Sequence, residues 1–164
     1  MDAPKIPERG PAPGPLALTI RELTPHDGLR IDRSAAFQIA GWSWYTLEDE
    51  GLYQEELIGL PRWPNSSVLL AMLGDWRVGF LELRETPVAA TILALVVDPA
   101  YRHRGVATRL VDHVRRSRYQ RDPTLPIEAF ASERNGPGQS FYRRLAFKGR
   151  RCRKAPLVRY AFPR

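Results

Sequence analysis

The stretch TILALVVDPAYRHRGVATRL, residues 91–110, decides the fold. Its first part belongs to VAATILALVV, residues 88–97, which is rich in β-branched residues and too uniformly apolar to leave a wet face, and this predicts a central strand. From Gly105 the period changes. Val106, Leu110, Val111 and Val114 fall on one face of a helix, with Arg109, Arg115, Arg116 and Arg118 around the rest. RHRGVAT, residues 102–108, is therefore where a strand gives way to a helix. A helix N-terminus carries unpaired N–H groups and the positive end of the dipole, so it suits an anion. Gly105 lets the backbone approach a bulky diphosphate, Ala107 keeps the first turn uncluttered, Thr108 adds a hydroxyl, and Arg102 and Arg104 bring charge. A basic helix start with no ligand explains these seven residues equally well. No Gly-Lys-Ser/Thr or dinucleotide fingerprint accompanies them.

Outward from this stretch, SVLLAML (67–73), GD (74–75) and WRVGFLELRE (76–85) read as two strands joined by a tight hairpin. LALTIREL (16–23) reads as a first strand, and TPHD (24–27) supplies an N-cap threonine and a first-turn proline for a helix starting near Thr24. Phe37, Ala40 and Trp44 recur at helical spacing, and TLEDEGLYQEELIGL (46–60) forms a second amphipathic segment. Downstream, PIEAFA (126–131) predicts a strand, GQSFYRRLA (138–146) a short helix and PLVRYAF (156–162) a terminal strand. The class is α/β, a mixed sheet flanked by helices.

The chain has 164 residues, enough for one domain with a full core. Residues 1–15 hold five prolines and read as a disordered leader, leaving 16–164 as the domain. The net charge is +7, and no acidic residue occurs from Ser140 to Arg164, so an anionic partner is expected. Cys152 is the only cysteine, which rules out a disulfide within the chain or a Cys-based zinc site. His26, His103 and His113 have no partners at metal-ligand spacing, and no metal is expected. No run approaches the roughly 20 apolar residues of a membrane span, and no signal-peptide core is present, so a cytoplasmic protein is the default.

Two motifs carry a family resemblance. VVDPAYRHRGVATRL (96–110) resembles the acetyl-CoA signature of the GNAT superfamily of N-acetyltransferases, Arg/Gln-x-x-Gly-x-Gly/Ala, through Arg102, Gly105 and Ala107. NGPGQSFYRRLAF (135–147) resembles the family's Asn-x-x-Ala-x-x-Phe-Tyr-x-x-x-Gly-Phe through Asn135, Phe141, Tyr142 and Phe147, with Gly138 and Ala146 departing from it. TIRELTPHD (19–27) resembles the family's first strand and helix start, so the likeness covers roughly residues 16 to 164. It implies the GNAT fold, a mixed, mostly antiparallel sheet of six to seven strands flanked by about four helices.

The resemblance also implies a chemistry, transfer of acetyl from acetyl-CoA to a primary amine by direct attack in a ternary complex. Leu95 and Val97 would lie beside the pantetheine arm. The loop Arg102, His103, Arg104, Gly105, Val106, Ala107 and Thr108 would hold the diphosphate. Tyr142 would protonate the departing thiolate, and Asn135 would cap the short helix or contact the cofactor arm. Thr91 stands where many members carry a glutamate base. Glu82, Glu85 and Glu128 on neighbouring strands could act through water, and Glu82 takes that role here; each also reads as a solvated strand-face charge.

The acceptor is a small amine, an amino sugar or a peptide amine. Trp42, Trp44, Tyr45 and Trp63 with Glu48, Asp49, Glu50, Glu55 and Glu56 would suit a cationic amine, and an acidic helix face explains them equally. Two rival readings stand beside the enzyme. Thr91 suggests a GNAT-like domain that binds acetyl-CoA without turnover. The late arginines suggest a nucleic-acid module, against which no RNA or DNA signature is present. The sequence leaves the oligomeric state open, a homodimer included.

Overall fold

The computed structural model describes residues 18–22, 66–74 and 76–162. The Pro-rich leader, both expected N-terminal helices and the cluster around Trp42, Trp44, Tyr45 and Trp63 lie outside these residues. In chain order the strands are β1 (Leu18–Glu22), β2 (Ser66–Leu73), β3 (Trp76–Glu85), β4 (Ala90–Val97), β5 (Ile127–Ser132), β6 (Lys148–Arg151) and β7 (Leu157–Phe162). Helix α1 (Val106–Arg121) follows β4, and α2 (Gly136–Arg144) follows β5. The sheet order is β1-β2-β3-β4-β5-β7-β6. Every pairing is antiparallel except β4 with β5.

The β2–β3 hairpin forms as its sequence predicts, with Gly74 at φ 58 in the turn. Its strands, with β4, carry apolar side chains on both faces. One face holds Leu69, Ala71, Leu81, Leu83, Ala90 and Ile92 against Val106, Leu110, Val111 and Val114 of α1. The opposite face holds a smaller cluster of Leu70, Met72, Phe80 and Val96.

Between β3 and β4 the register steps from Leu83↔Ile92 to Glu82↔Ala94 and skips Leu93, a β-bulge in the central strand. Leu93 is 37 % exposed. The expectation that this strand has no wet face is corrected at that residue, because the extra residue leaves the regular alternation.

Gly79 on β3 sets the approach of α1. A Cβ there would lie 2.8 Å from the Val96 carbonyl oxygen and 3.3 Å from Val106 Cγ1, so glycine lets the helix start sit down on the sheet.

Further along, α1 is tied to the C-terminal strands through Arg115. Its guanidinium lies 4.0 Å from the Phe162 ring centroid and 5.2 Å from that of Phe147. It also donates to the Leu145 carbonyl and to Asp112. Arg115→Ala should therefore destabilise the fold by about 2 kcal/mol, combining a cation–π contact with a charged hydrogen bond. Urea denaturation measures this, and a loss below about 0.5 kcal/mol would show that the packing closes without the guanidinium.

Strand β6 has no counterpart in the expectations. KGRR lacks any apolar alternation, and all four residues are exposed. It exists because its backbone pairs with β7, from Lys148↔Ala161 to Arg151↔Val158.

Candidate active site

The parallel ladder between β4 and β5 contains three pairs, Ala90↔Ile127, Thr91↔Glu128 and Ile92↔Ala129, and stops there. Both strands continue beyond it, β4 to Val97 and β5 to Ser132. The bulge at Leu93 coincides with the parting. Main-chain groups along the far half of β4 thus face a gap rather than a neighbouring strand, and such groups need a partner. Leu93 and Phe130, the first residues past the last pair, are partly exposed, 37 % and 42 %. Leu95 and Val97 are half-buried against the α1-side core. One carbonyl of this edge is engaged, since Arg102 donates its Nε–H to the Val97 oxygen at 3.1 Å.

Where β4 ends, Asp98 accepts the Ala100 N–H at 2.8 Å through its side chain and the Tyr101 N–H at 2.8 Å through its carbonyl. Tyr101 is buried and anchors the turn. His103 (φ 59) and Gly105 (φ 81, ψ 5) both take the left-handed conformation, on either side of Arg104. This alternation turns successive N–H groups toward one concavity. Gly105 is the N-cap of α1 and supplies no side-chain cap, while its carbonyl accepts the Arg109 N–H at 3.0 Å. The N–H groups of Gly105, Val106, Ala107 and Thr108 consequently have no intrahelical acceptor. A Cβ on Gly105 would meet nothing within 4 Å, so the concavity is open. Residues 102 to 105 are exposed and the first turn of α1 contains no acid. Four donors, a helix dipole and two arginines in one open loop fit a diphosphate.

Helix α2 follows β5. Asn135 caps it, its Oδ1 accepting the Gly138 N–H at 2.9 Å. Of its two expected roles the structure displays the cap. Tyr142 is buried, stacked on Tyr160 at 5.4 Å and edge-on to Phe141 (5.2 Å) and Phe147 (5.4 Å). No described residue hydrogen-bonds its hydroxyl. Burial pushes the phenol well above the ordinary tyrosine range, so it is protonated at neutral pH.

The three candidate carboxylates separate cleanly. Glu85 lies on the α1 side, bound to Arg118 at 2.8 Å and Arg121 at 3.2 Å. Glu128 forms an ion pair with Arg159. Glu82 is 6 % exposed and sits opposite Ala94, one residue from the bulge, on the face away from α1. His103 belongs to the exposed loop. His113 instead lines a cleft of about 510 Å³ with Glu22, Ser67, Thr86 and Arg121. That cleft begins about 12 Å along the α1 axis from Gly105, by helical rise, and is a separate feature. Among the described residues no three His, Cys, Asp or Glu side chains gather as a metal site, and no helix is long and apolar enough to cross a membrane.

Sequence reasoning missed Leu93 and Phe130. Their position at the mouth of the gap follows from where pairing stops, which no local pattern reports.

This architecture can be compared with known proteins. No curated protein matches the chain by sequence. Among solved structures, the PaiA N-acetyltransferase of Thermoplasma acidophilum in complex with coenzyme A is similar, with a TM-score of 0.68 at 18 % identity over 88 % of this chain and 98 % of that one. The aminoglycoside 6′-acetyltransferase type Ii gives 0.68 at 21 % identity over 89 % and 99 %. The ribosomal-protein-S18-alanine N-acetyltransferase of Escherichia coli gives 0.64 at 17 % over 89 % and 93 %. At these identities the likeness establishes the fold. The sequence model of the Acetyltransferase (GNAT) domain matches residues 64–149, more than half of the chain and inclusive of the β4 edge and the Gly105 loop, and the chain belongs to the GNAT acetyltransferase family.

Proposed function

We propose that this protein transfers acetyl from acetyl-CoA to a primary amine by direct attack, without a covalent enzyme intermediate. The observation that carries the reading is the continuity of the β4 edge beyond Ile92, which pairs with no described strand, with a loop of N–H groups that have no intrahelical acceptor. An extended amide-containing arm suits the first, and a diphosphate suits the second. Leu95 and Val97 would flank the arm, and Arg102, Arg104 and the N–H groups of Gly105 to Thr108 would hold the phosphates.

An alkylamine with a pKa near ~10.4 is protonated at neutral pH and must lose a proton before attack. Glu82, on the face away from α1 and beside the bulge, would take that proton through water. As the C–N bond forms and the C–S bond breaks, unpaired β4 N–H groups stabilise charge on the carbonyl oxygen. Tyr142, on the α1 side, gives its proton to the leaving thiolate and is reprotonated from solvent. The two groups lie on opposite faces of the sheet, which would let one deliver a proton while the other removes one. Among the described residues we assign no nucleophile to form an acyl-enzyme; Cys152, the only thiol of the chain, lies between β6 and β7.

Thiol release from acetyl-CoA, followed with a disulfide chromogen against a panel of amines, tests the reading. We expect saturable, amine-dependent release, with Glu82→Gln lowering kcat roughly 10-fold or more. Binding of acetyl-CoA with no release on any amine would favour a non-catalytic domain.

A further inference from the structure

Beyond the gap, the face that carries Glu82 continues across β5, β7 and β6. Residues paired in register share a face. Phe130 on β5 lies opposite Arg159 on β7, and Arg159 lies opposite Arg150 on β6. The row behind it runs Thr91, Glu128, Ala161 and Lys148. The shelf thus presents three cations, Lys148, Arg150 and Arg159, against one carboxylate, Glu128. That carboxylate is already engaged by Arg159. Lys148 and Arg150 are exposed and have no ion pair among the described residues. Phe130, beside them at the mouth of the gap, is 42 % exposed.

Two arginines directly opposite on one sheet face repel, a local cost that a bound anion would remove. Charged edge strands also discourage sheet-to-sheet association, but that role needs charge on β6 alone. It does not by itself account for Arg159 on the interior strand β7, which pairs with Glu128 and stands next to an exposed aromatic at the gap. Guanidinium pairs hold carboxylate and phosphate in a planar, forked geometry.

We propose that Arg150 and Arg159, with Phe130 as an apolar floor, form an anion subsite for the acceptor, which is therefore an amine that also carries a carboxylate or phosphate. The assignment rests on the acetyl-transfer reading and narrows its substrate class. The amine reaches the gap from the Glu82 side, and its anionic group lies over the β7–β6 shelf. A polycationic acceptor is disfavoured by the same charges.

The test uses the full chain and matched acceptors: phenylalanine against phenethylamine, phosphoethanolamine against ethanolamine, and a short peptide rich in Asp and Glu against its Asn and Gln counterpart. The wild type should favour the anionic member of at least one pair, and the identity of that pair separates carboxylate from phosphate. Arg150→Glu should reduce that preference in kcat/KM on the order of 10- to 100-fold, through KM rather than kcat. Arg150→Gln should fall between, and it serves as the readout if the Glu variant no longer shows a melting shift with acetyl-CoA. Thiol release with equal rates on both members of every pair, or a preference that Arg150→Glu leaves in place, overturns the subsite alone. Thiol release with none of the six overturns acetyl transfer itself and the subsite with it.

Discussion

Tyr142→Phe lowers kcat by about 10²- to 10⁴-fold, the range associated with a positioned general acid, and leaves the acetyl-CoA melting shift in place. The expectation rests on three features of the residue. Its ring is held on three sides by Tyr160, Phe141 and Phe147, contacts that phenylalanine keeps. Its hydroxyl has no hydrogen-bond partner among the described residues, so its removal leaves no stranded donor or acceptor. Burial holds the phenol in its protonated form, so a proton is available to the thiolate throughout the neutral range.

The same burial gives a signature in pH. The folded-state pKa lies above the ordinary value near ~10, so Tyr142's contribution to stability is complete below that value and is lost as pH rises beyond it. Unfolding free energy should fall more steeply above pH ~10 in the wild type than in Tyr142→Phe. Steady-state kinetics and alkaline denaturation check the two halves separately. A kcat within about threefold of wild type would remove Tyr142 from the chemistry even if the alkaline difference were present.

Those properties were only partly legible in the sequence, and the reason differs from element to element. The β2–β3 hairpin, β4 and α1 announce themselves because apolar period changes abruptly at Gly74 and again at Gly105. Gly105 and Ala107 suggest a phosphate loop, a basic helix start explains the same stretch equally well, and the family resemblance is what favours the first. The left-handed His103 has no such signal, since nothing in Arg-His-Arg marks the middle residue. The bulge at Leu93 is invisible because inserting one apolar residue leaves an apolar string apolar, yet it coincides with the opening of the gap. Strand β6 is invisible for the opposite reason: KGRR has no pattern at all and is held only through β7.

The carboxylates show where local reading ends. Glu82, Glu85 and Glu128 are equivalent as letters on strands. What separates them is long-range: Arg118 and Arg121 reach Glu85 from α1, Arg159 reaches Glu128 from β7, and Glu82 is buried beside the bulge. The arginine pair behaves likewise. Arg150 and Arg159 are nine positions apart in sequence and become neighbours only through the β6–β7 register.

Gly105→Val abolishes acetyl-CoA binding while the fold persists. At φ 81 a β-branched residue is strongly disfavoured, so the loop must abandon the left-handed conformation that aims its N–H groups. The core is not touched. A Cβ at this position meets nothing within 4 Å, and Val106, the first buried residue of α1, remains seated against Gly79. The variant should melt only a few degrees below the wild type, reflecting a local backbone cost of about 1–2 kcal/mol. Acetyl-CoA at about a hundred times its Kd should stabilise the wild type by ~2.7 kcal/mol, roughly 5 to 10 °C for a chain of this size, and should leave the valine variant unshifted. Gly105→Asn separates the two functions a glycine can serve. Asparagine tolerates the left-handed region, so a shift retained with Asn and lost with Val means that backbone handedness makes the cradle. A shift lost with both means that the free space above Gly105 is what the phosphates occupy. A shift kept with Val means that the diphosphate is held elsewhere, and the acetyl-transfer reading loses its anchor.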